Sequence, residues 1–211
     1  MRYDLLGPAA QDAVRRVYEA VFPLALRAPW PDLVGGHPRE ELLVLLDEHP
    51  VEGYRDPIGL ALVRHLGQTT MTFLRYFAID SARHSRGHGS ALWRALTHHL
   101  RDAGRTLLLF DVEDPAAAAP GHHREDERRI AFYRRHGAEL APVTGYAPPD
   151  HGSAGTEPAL LLMTADLVRP GRAVEGTSLA AAVVAVYEHR YGLRPDHPTV
   201  VATLERSGLS G

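Results

Sequence analysis

The chain has 211 residues, 45% of them hydrophobic and 23% charged, a balance that suits one domain with an appendage and a sizeable core. A formal net charge of −3 gives no global basic field, so neither nucleic acid nor an anionic membrane is expected as a partner. There is no cysteine, which excludes disulfides, thiolate metal sites and a cysteine nucleophile.

Met1-Arg2-Tyr3-Asp4 leads into mixed polar sequence without a signal-like apolar region, and no apolar run approaches the length of a membrane span. The expected location is the cytoplasm. Abundant Ala, Arg and Pro with scarce Lys hint at a GC-rich bacterial genome.

Pro8 opens a helical stretch with an apolar stripe of Ala13, Val14, Val17, Tyr18, Val21 and Phe22, and Pro23 stops it. Residues 29–38 hold three prolines and two glycines and read as a loop. Arg39 to His49 is expected as a second helix burying Leu42, Leu43, Leu45 and Leu46 on one side. Ile58 to His65 and Met71 to Ile79 read as strands joined by the turn Gly67-Gln68-Thr69-Thr70, so a hairpin is expected. A helix from about Ser90 to Asp102, with Leu92, Leu96 and Leu100 in step, is capped by Gly104 and followed by the short buried strand Thr106 to Val112. Strand, helix and strand in this order imply a parallel crossover.

Glu113 to Asp126, rich in Ala, Pro and charge, is expected as an exposed insertion. Glu127 to His136 is helical and closes at Gly137. Tyr146 to Pro158 is a Gly/Pro loop before the strand Ala159 to Thr164. Arg169 to Gly176 reads as a linker. Beyond it, Thr177 or Ser178 caps a helix bearing Leu179, Val183, Val186 and Tyr187 that ends at Gly192, and a last helix starts near Pro198. The expected division is a domain over 1–168 and a linker with helical extension over 169–211, the extension serving packing or dimerisation.

The segment Arg83-His84-Ser85-Arg86-Gly87-His88-Gly89-Ser90-Ala91-Leu92 reads as an anion cradle. Two glycines one residue apart permit a tight turn with uncovered N–H groups, and a helix start beside them favours phosphate. Arg83 and Arg86 add positive charge. A Walker A loop is excluded, because no Lys-Ser/Thr follows Gly89.

His84-Ser85-Arg86-Gly87-His88-Gly89 matches Gln/Arg-x-x-Gly-x-Gly/Ala, with His84 where Gln or Arg is usual, and Ala131-Phe132-Tyr133-Arg134-Arg135-His136-Gly137 supplies Phe-Tyr-x-x-x-Gly downstream. In these motifs, from about Leu74 to Leu140, the chain resembles the GNAT superfamily of acyl-CoA-dependent N-acyltransferases. The resemblance implies an α/β fold, a mixed and mostly antiparallel sheet flanked by helices. It implies acetyl transfer from acetyl-CoA to a primary amine by direct attack, with the pyrophosphate on His84, Ser85, Arg86, Gly87, His88, Gly89, Ser90 and Ala91. Phe77, Ala78 and Ile79 would lend backbone groups to the pantetheine arm, and an N–H of Phe77 or Ala78 would polarise the thioester carbonyl. Tyr133 matches the family tyrosine that protonates the leaving thiolate, with core packing as the plainer reading.

Asp111 and Glu113 lie two apart on one strand and should share a face, where a carboxylate can take a proton from an ammonium substrate. Glu113, nearer the strand's carboxyl end, is the preferred base and Asp111 the reserve, and a solvated role for both is as well founded. Arg27 and Trp30 fall where the family walls its acceptor cleft. Thirteen histidines invite a metal, notably at His122-His123 with Glu125 and Asp126, yet no second-shell pattern is readable and no metal is expected. His98 and His99 are expected to face solvent. The acceptor is read as a small-molecule amine. A protein lysine or amino terminus is the rival substrate, a non-catalytic acyl-CoA-binding module the rival function, and a homodimer stays open.

Overall fold

The computed structural model describes residues 1–24, 27–35, 37–47, 56–83, 86–118, 121–149 and 159–210. Helices α1 (Pro8–Val21) and α2 (Trp30–Val34) precede strands β1 (Glu40–Leu46), β2 (Pro57–His65) and β3 (Met71–Ile79). Helix α3 (His88–Asp102) leads to β4 (Leu107–Glu113), and α4 (His123–Arg135) to β5 (Glu139–Leu140) and β6 (Leu160–Asp166). Helices α5 (Gly176–Tyr191) and α6 (Pro198–Arg206) follow. The strands are hydrogen-bonded in the order β1-β2-β3-β4-β6-β5, a mixed sheet with α/β connections. No helix among the described residues is long and apolar enough to cross a membrane. By backbone contacts the chain forms two compact units, Met1–Arg64 with Leu74–Ala103, and His65–Phe73 with Gly104–Gly211.

In the first unit, Val14, Val17 and Tyr18 of α1 pack on Leu42, Val44, Leu60, Leu62 and Ala78. Of the segment expected as a helix over 39–49, Glu40–Leu46 is instead β1, antiparallel to β2 from Glu40↔Arg64 to Leu46↔Pro57, and 48 and 49 lie outside the described residues. Three consecutive residues, Leu42, Leu43 and Val44, are buried, which suits a strand covered on both faces better than a helix with one apolar stripe. Cross-strand charge fixes the register. Glu40 Oε1 accepts from Arg64 and Arg75, each at 2.6 Å, and the Glu40 side chain is 2% exposed. Residues 29–38, expected as a loop, contain the short α2. Its approach is pinned by Tyr18, whose hydroxyl donates to the Ala28 carbonyl, and by Tyr76, whose hydroxyl accepts from Ala28 N–H.

Helix α3 buries Leu92, Trp93, Leu96 and Leu100, as its spacing predicts, but starts two residues before Ser90. His99 is only partly exposed. Its Nε2 lies 3.0 Å from both Glu41 carboxylate oxygens and ties the helix to β1.

In the second unit β3 and β4 are parallel over Met71↔Leu107 to Phe73↔Leu109, the expected crossover, and β4 is antiparallel to β6 along its whole length. β3 runs on through Ile79 and β4 through Glu113 beyond the last parallel pair. The stretch 113–126, expected as an exposed insertion, already turns helical at His123, and Asp126 is buried on α4. Residues 169–211 enter the core. Leu179, Ala182, Val183 and Val186 of α5 pack with Phe73, Leu109 and Leu162. The N-cap of α5 is Glu175 rather than Thr177 or Ser178, and Gly192 in the left-handed region ends it.

Candidate active site

The anion-binding turn belongs to the first unit. Gly87 is the N-cap of α3 at φ 78°, a conformation that side-chain-bearing residues rarely adopt, and a Cβ built on it would meet nothing within 4 Å among the described residues. Among the described residues no side chain caps the helix, whose first N–H groups lack intrahelical partners and carry the positive end of the helix dipole. Arg86 and Gly87 are exposed, while His88, Gly89, Ser90 and Ala91 are partly covered. His84 and Ser85 lie outside the described residues. Arg83, expected to add charge to the turn, shares that charge with Asp47 at 3.2 Å.

Just ahead of the turn, Ala78 and Ile79 are buried and the Phe77 ring meets Trp93 edge-on at 5.9 Å. Gly59 of β2 lets them close up. A Cβ there would stand 2.9 Å from the Ala78 carbonyl oxygen and 2.5 Å from Ile79 Cδ1. Arg27 donates to the Glu19 carbonyl at 3.0 Å, and Trp30 joins the rings of Tyr3 and Tyr18. Both residues take part in local structure and stay partly exposed.

The ionisable groups lie in the second unit. Tyr133 on α4 is buried with its ring 4.5 Å from that of Phe110. Burial pushes its phenol up to about 12, against a small lowering by the Arg129 charge. The two carboxylates of β4 have different partners despite their spacing. Glu113 is ion-paired with Arg129 of α4, which also approaches Glu125 and Asp126. Asp111 meets α5 instead, and Tyr191 donates its hydroxyl to Oδ2 at 2.6 Å. Burial raises the Asp111 carboxyl to about 6, held back by the hydrogen bond from Tyr191, then by the Tyr146 phenol and the Arg190 charge.

Sequence reasoning placed Tyr146 only at the start of a Gly/Pro loop expected to wall the acceptor cleft, and missed Tyr191. Tyr191 does continue the α5 stripe Val183, Tyr187 at steps of four, so its burial was signalled, but its partner stands 80 positions away. Among the described residues no group of three or more His, Cys, Asp or Glu could hold a metal.

A strand entering a glycine-turned helix that returns as a parallel strand, followed by a helix with a buried tyrosine, is the arrangement that the resemblance to the GNAT superfamily implies. Residues 11–138 match the model of the acetyltransferase (GNAT) family, more than half of the chain, and the chain belongs to that family. Solved structures share its fold. One is described as a GNAT-family acetyltransferase from Bacteroides thetaiotaomicron, with TM-score 0.63 and 17% identity over 87% of this chain and 92% of that one. Another is an aminoglycoside 6'-N-acetyltransferase complexed with coenzyme A, with TM-score 0.57 and 13% identity over 80% and 97%. A third is an N-acetyltransferase of a ribosomal-protein alanine from Escherichia coli, with TM-score 0.53 and 17% identity over 81% and 96%. No curated protein sequence matches the chain.

Proposed function

We propose that this acetyltransferase moves the acetyl group of acetyl-CoA to the primary amine of a small molecule. The observation that carries the reading is the left-handed start of α3 at Gly87, where among the described residues nothing caps the helix or stands within 4 Å of a Cβ position, which leaves room for a diphosphate at the backbone N–H groups. Gly87, His88, Gly89, Ser90 and Ala91 would hold the pyrophosphate, and the backbone of Phe77, Ala78 and Ile79 the pantetheine arm. The neighbour solved with coenzyme A supports the cofactor, and the aminoglycoside enzyme supports a small acceptor.

Asp111 is the better base of the pair. Glu113 is engaged by Arg129 in an ion pair, whereas burial raises the Asp111 carboxyl and makes it the stronger proton acceptor. The acceptor ammonium gives one proton to Asp111 and keeps the electron pair on nitrogen. That pair forms the C–N bond as the C–S bond breaks, and nitrogen sheds its second proton as the amide forms. One proton ends on sulfur and one in solvent. Tyr133 assists at sulfur. With its phenol near 12 and a thiol ordinarily near ~8.5, full transfer from Tyr133 is uphill, so its part is a hydrogen bond that strengthens as the thiolate develops.

Calorimetry tests the cradle. Gly87→Val adds a β-branched side chain at φ 78° over the N–H groups. The expected result is a folded protein whose affinity for acetyl-CoA falls by at least about tenfold. A folded variant with unchanged affinity removes the pyrophosphate from this turn.

A further inference from the structure

In the second unit, the segment that follows β5 is tied to α5 and α6 at Thr144, Gly145 and Ala147. Thr144 N–H donates to the Ser207 hydroxyl at 2.9 Å, and the Gly145 carbonyl accepts from Arg206 at 3.2 Å. Ala147 N–H donates to the Tyr187 hydroxyl at 3.0 Å, and that hydroxyl lies 3.1 Å from Thr203 Oγ1. Thr203 Oγ1 in turn lies 2.8 Å from the Thr199 carbonyl and 3.2 Å from the Gly145 carbonyl. Each hydroxyl has one proton to give. Thr203 gives its proton to a backbone carbonyl and accepts the one from Tyr187, so the bonds run in one direction from Ala147 to α6. Tyr187 and Thr203 are both 0% exposed, so water does not compete for these bonds.

Tyr146 stands between two of the tied residues. Its ring packs on that of Tyr187 at 5.6 Å, and its phenol hydrogen-bonds the Asp111 carboxyl. Tyr191 donates to the same carboxyl, so Asp111 is held by one phenol from α5 and one from the tied segment. Tyr191, Tyr146 and Arg190 all favour the charged form of Asp111, against burial, which favours the neutral one. Tyr191 and Arg190 are fixed by the helix that bears them. Tyr146 has no helix or strand around it, and a hydrogen bond weakens steeply as its donor moves off line. Its hold on Asp111 therefore depends on what fixes the backbone on either side of it.

We propose that Tyr187 and Thr203 are positioning residues that hold the Tyr146 phenol on the Asp111 carboxyl and so set how readily that carboxylate takes a proton. Tyr146, Tyr187 and Thr203 lie beyond the residues that match the family model, so this control comes from the chain's own C-terminal segment. Its value to catalysis rests on the acetyl-transfer reading with Asp111 as base, while the effect on the carboxyl stands apart from it.

The test follows the carboxyl ¹³C signal of Asp111, assigned by its loss in Asp111→Asn, through a pH titration of the carboxyl-labelled full chain. Tyr187→Phe and Thr203→Val each delete a hydroxyl and keep the bulk of the side chain. The expected result in both is a titration midpoint raised by about one pH unit, because part of the Tyr146 bond to the charged form is lost. Thr203→Ser keeps the hydroxyl and should keep the wild-type midpoint. A purely structural role would lower stability and leave the midpoint in place, and that result in the folded variants overturns the proposal. The wild type supplies a check that does not depend on any hydroxyl variant folding. The amide ¹⁵N signal of Ala147 should titrate with the Asp111 midpoint and lose that inflection in Asp111→Asn. Absence of the inflection from the wild type also overturns the proposal. Turnover of acetyl-CoA on an amine panel separates the two ideas. A moved midpoint in a protein that acetylates no amine keeps the positioning and sinks acetyl transfer, whereas turnover with an unmoved midpoint does the reverse.

Discussion

Asp111 carries a measurable signature in stability as well as in chemistry. Its folded-state pKa of about 6 lies above the 3.8 of a free carboxyl, so the fold prefers the protonated form. The stability that the proton confers is whole below about pH 4 and is lost as pH rises through about 6, a change of about 3 kcal/mol. Asp111→Asn cannot ionise and keeps an oxygen for the Tyr191 hydroxyl. The difference in unfolding free energy, variant minus wild type, should therefore climb by about 3 kcal/mol between about pH 4 and 7. Urea melts across that range check it, and a flat difference would mean that the carboxyl titrates normally. Tyr133 makes a separate prediction. Tyr133→Phe keeps the ring on Phe110 and deletes the donor, so acetyl-CoA affinity should hold. The single-turnover rate should fall by about tenfold to a hundredfold, the worth of a hydrogen bond to a developing charge. An undiminished rate would leave Tyr133 as a core residue.

At the level of elements, the parts that were legible in the sequence are those whose structure is local. The glycine turn, the spacing of Leu92, Leu96 and Leu100, and the Phe-Tyr-x-x-x-Gly stretch each carry their own geometry, and each stands where its pattern placed it. β1 was not legible. Glu40-Glu41-Leu42-Leu43-Val44-Leu45-Leu46 is built mostly from good helix formers, and it is a strand because β2 pairs with it and Arg64 and Arg75 converge on Glu40. The partnership of Asp111 with Tyr146 and Tyr191 was hidden for the same reason, since it exists only once α5 has packed. That packing also predicts the outcome of truncation. A chain ending at residue 168 would strip Leu179, Ala182, Val183 and Val186 from the second unit and bare Phe73, Leu109 and Leu162. Burial of each large apolar side chain is worth about 1.5–3 kcal/mol, and their joint loss exceeds the few kcal/mol by which most domains are stable. The truncated protein should lack a cooperative thermal transition by calorimetry. A sharp transition near that of the whole chain would show that the extension is dispensable.

Over the whole molecule, charge is organised by one kind of cation. The 211 residues include 23 basic side chains, and every one is an arginine. The clusters around Glu40, Glu113 and Asp111 are all arginine-based, which suits planar guanidinium groups that stack on rings and stay charged. A lysine ε-amine is another matter beside an activated acetyl thioester, because in its neutral form it is a nucleophile of the same type as the acceptor. This chain has no such side chain to offer. The Met1 nitrogen is engaged, donating to the Val44 carbonyl of β1 at 2.9 Å. The enzyme holds no lysine among these 211 residues that its own reagent could acetylate. Its guanidinium groups can crowd the region where acetyl groups change hands without becoming decoys for them.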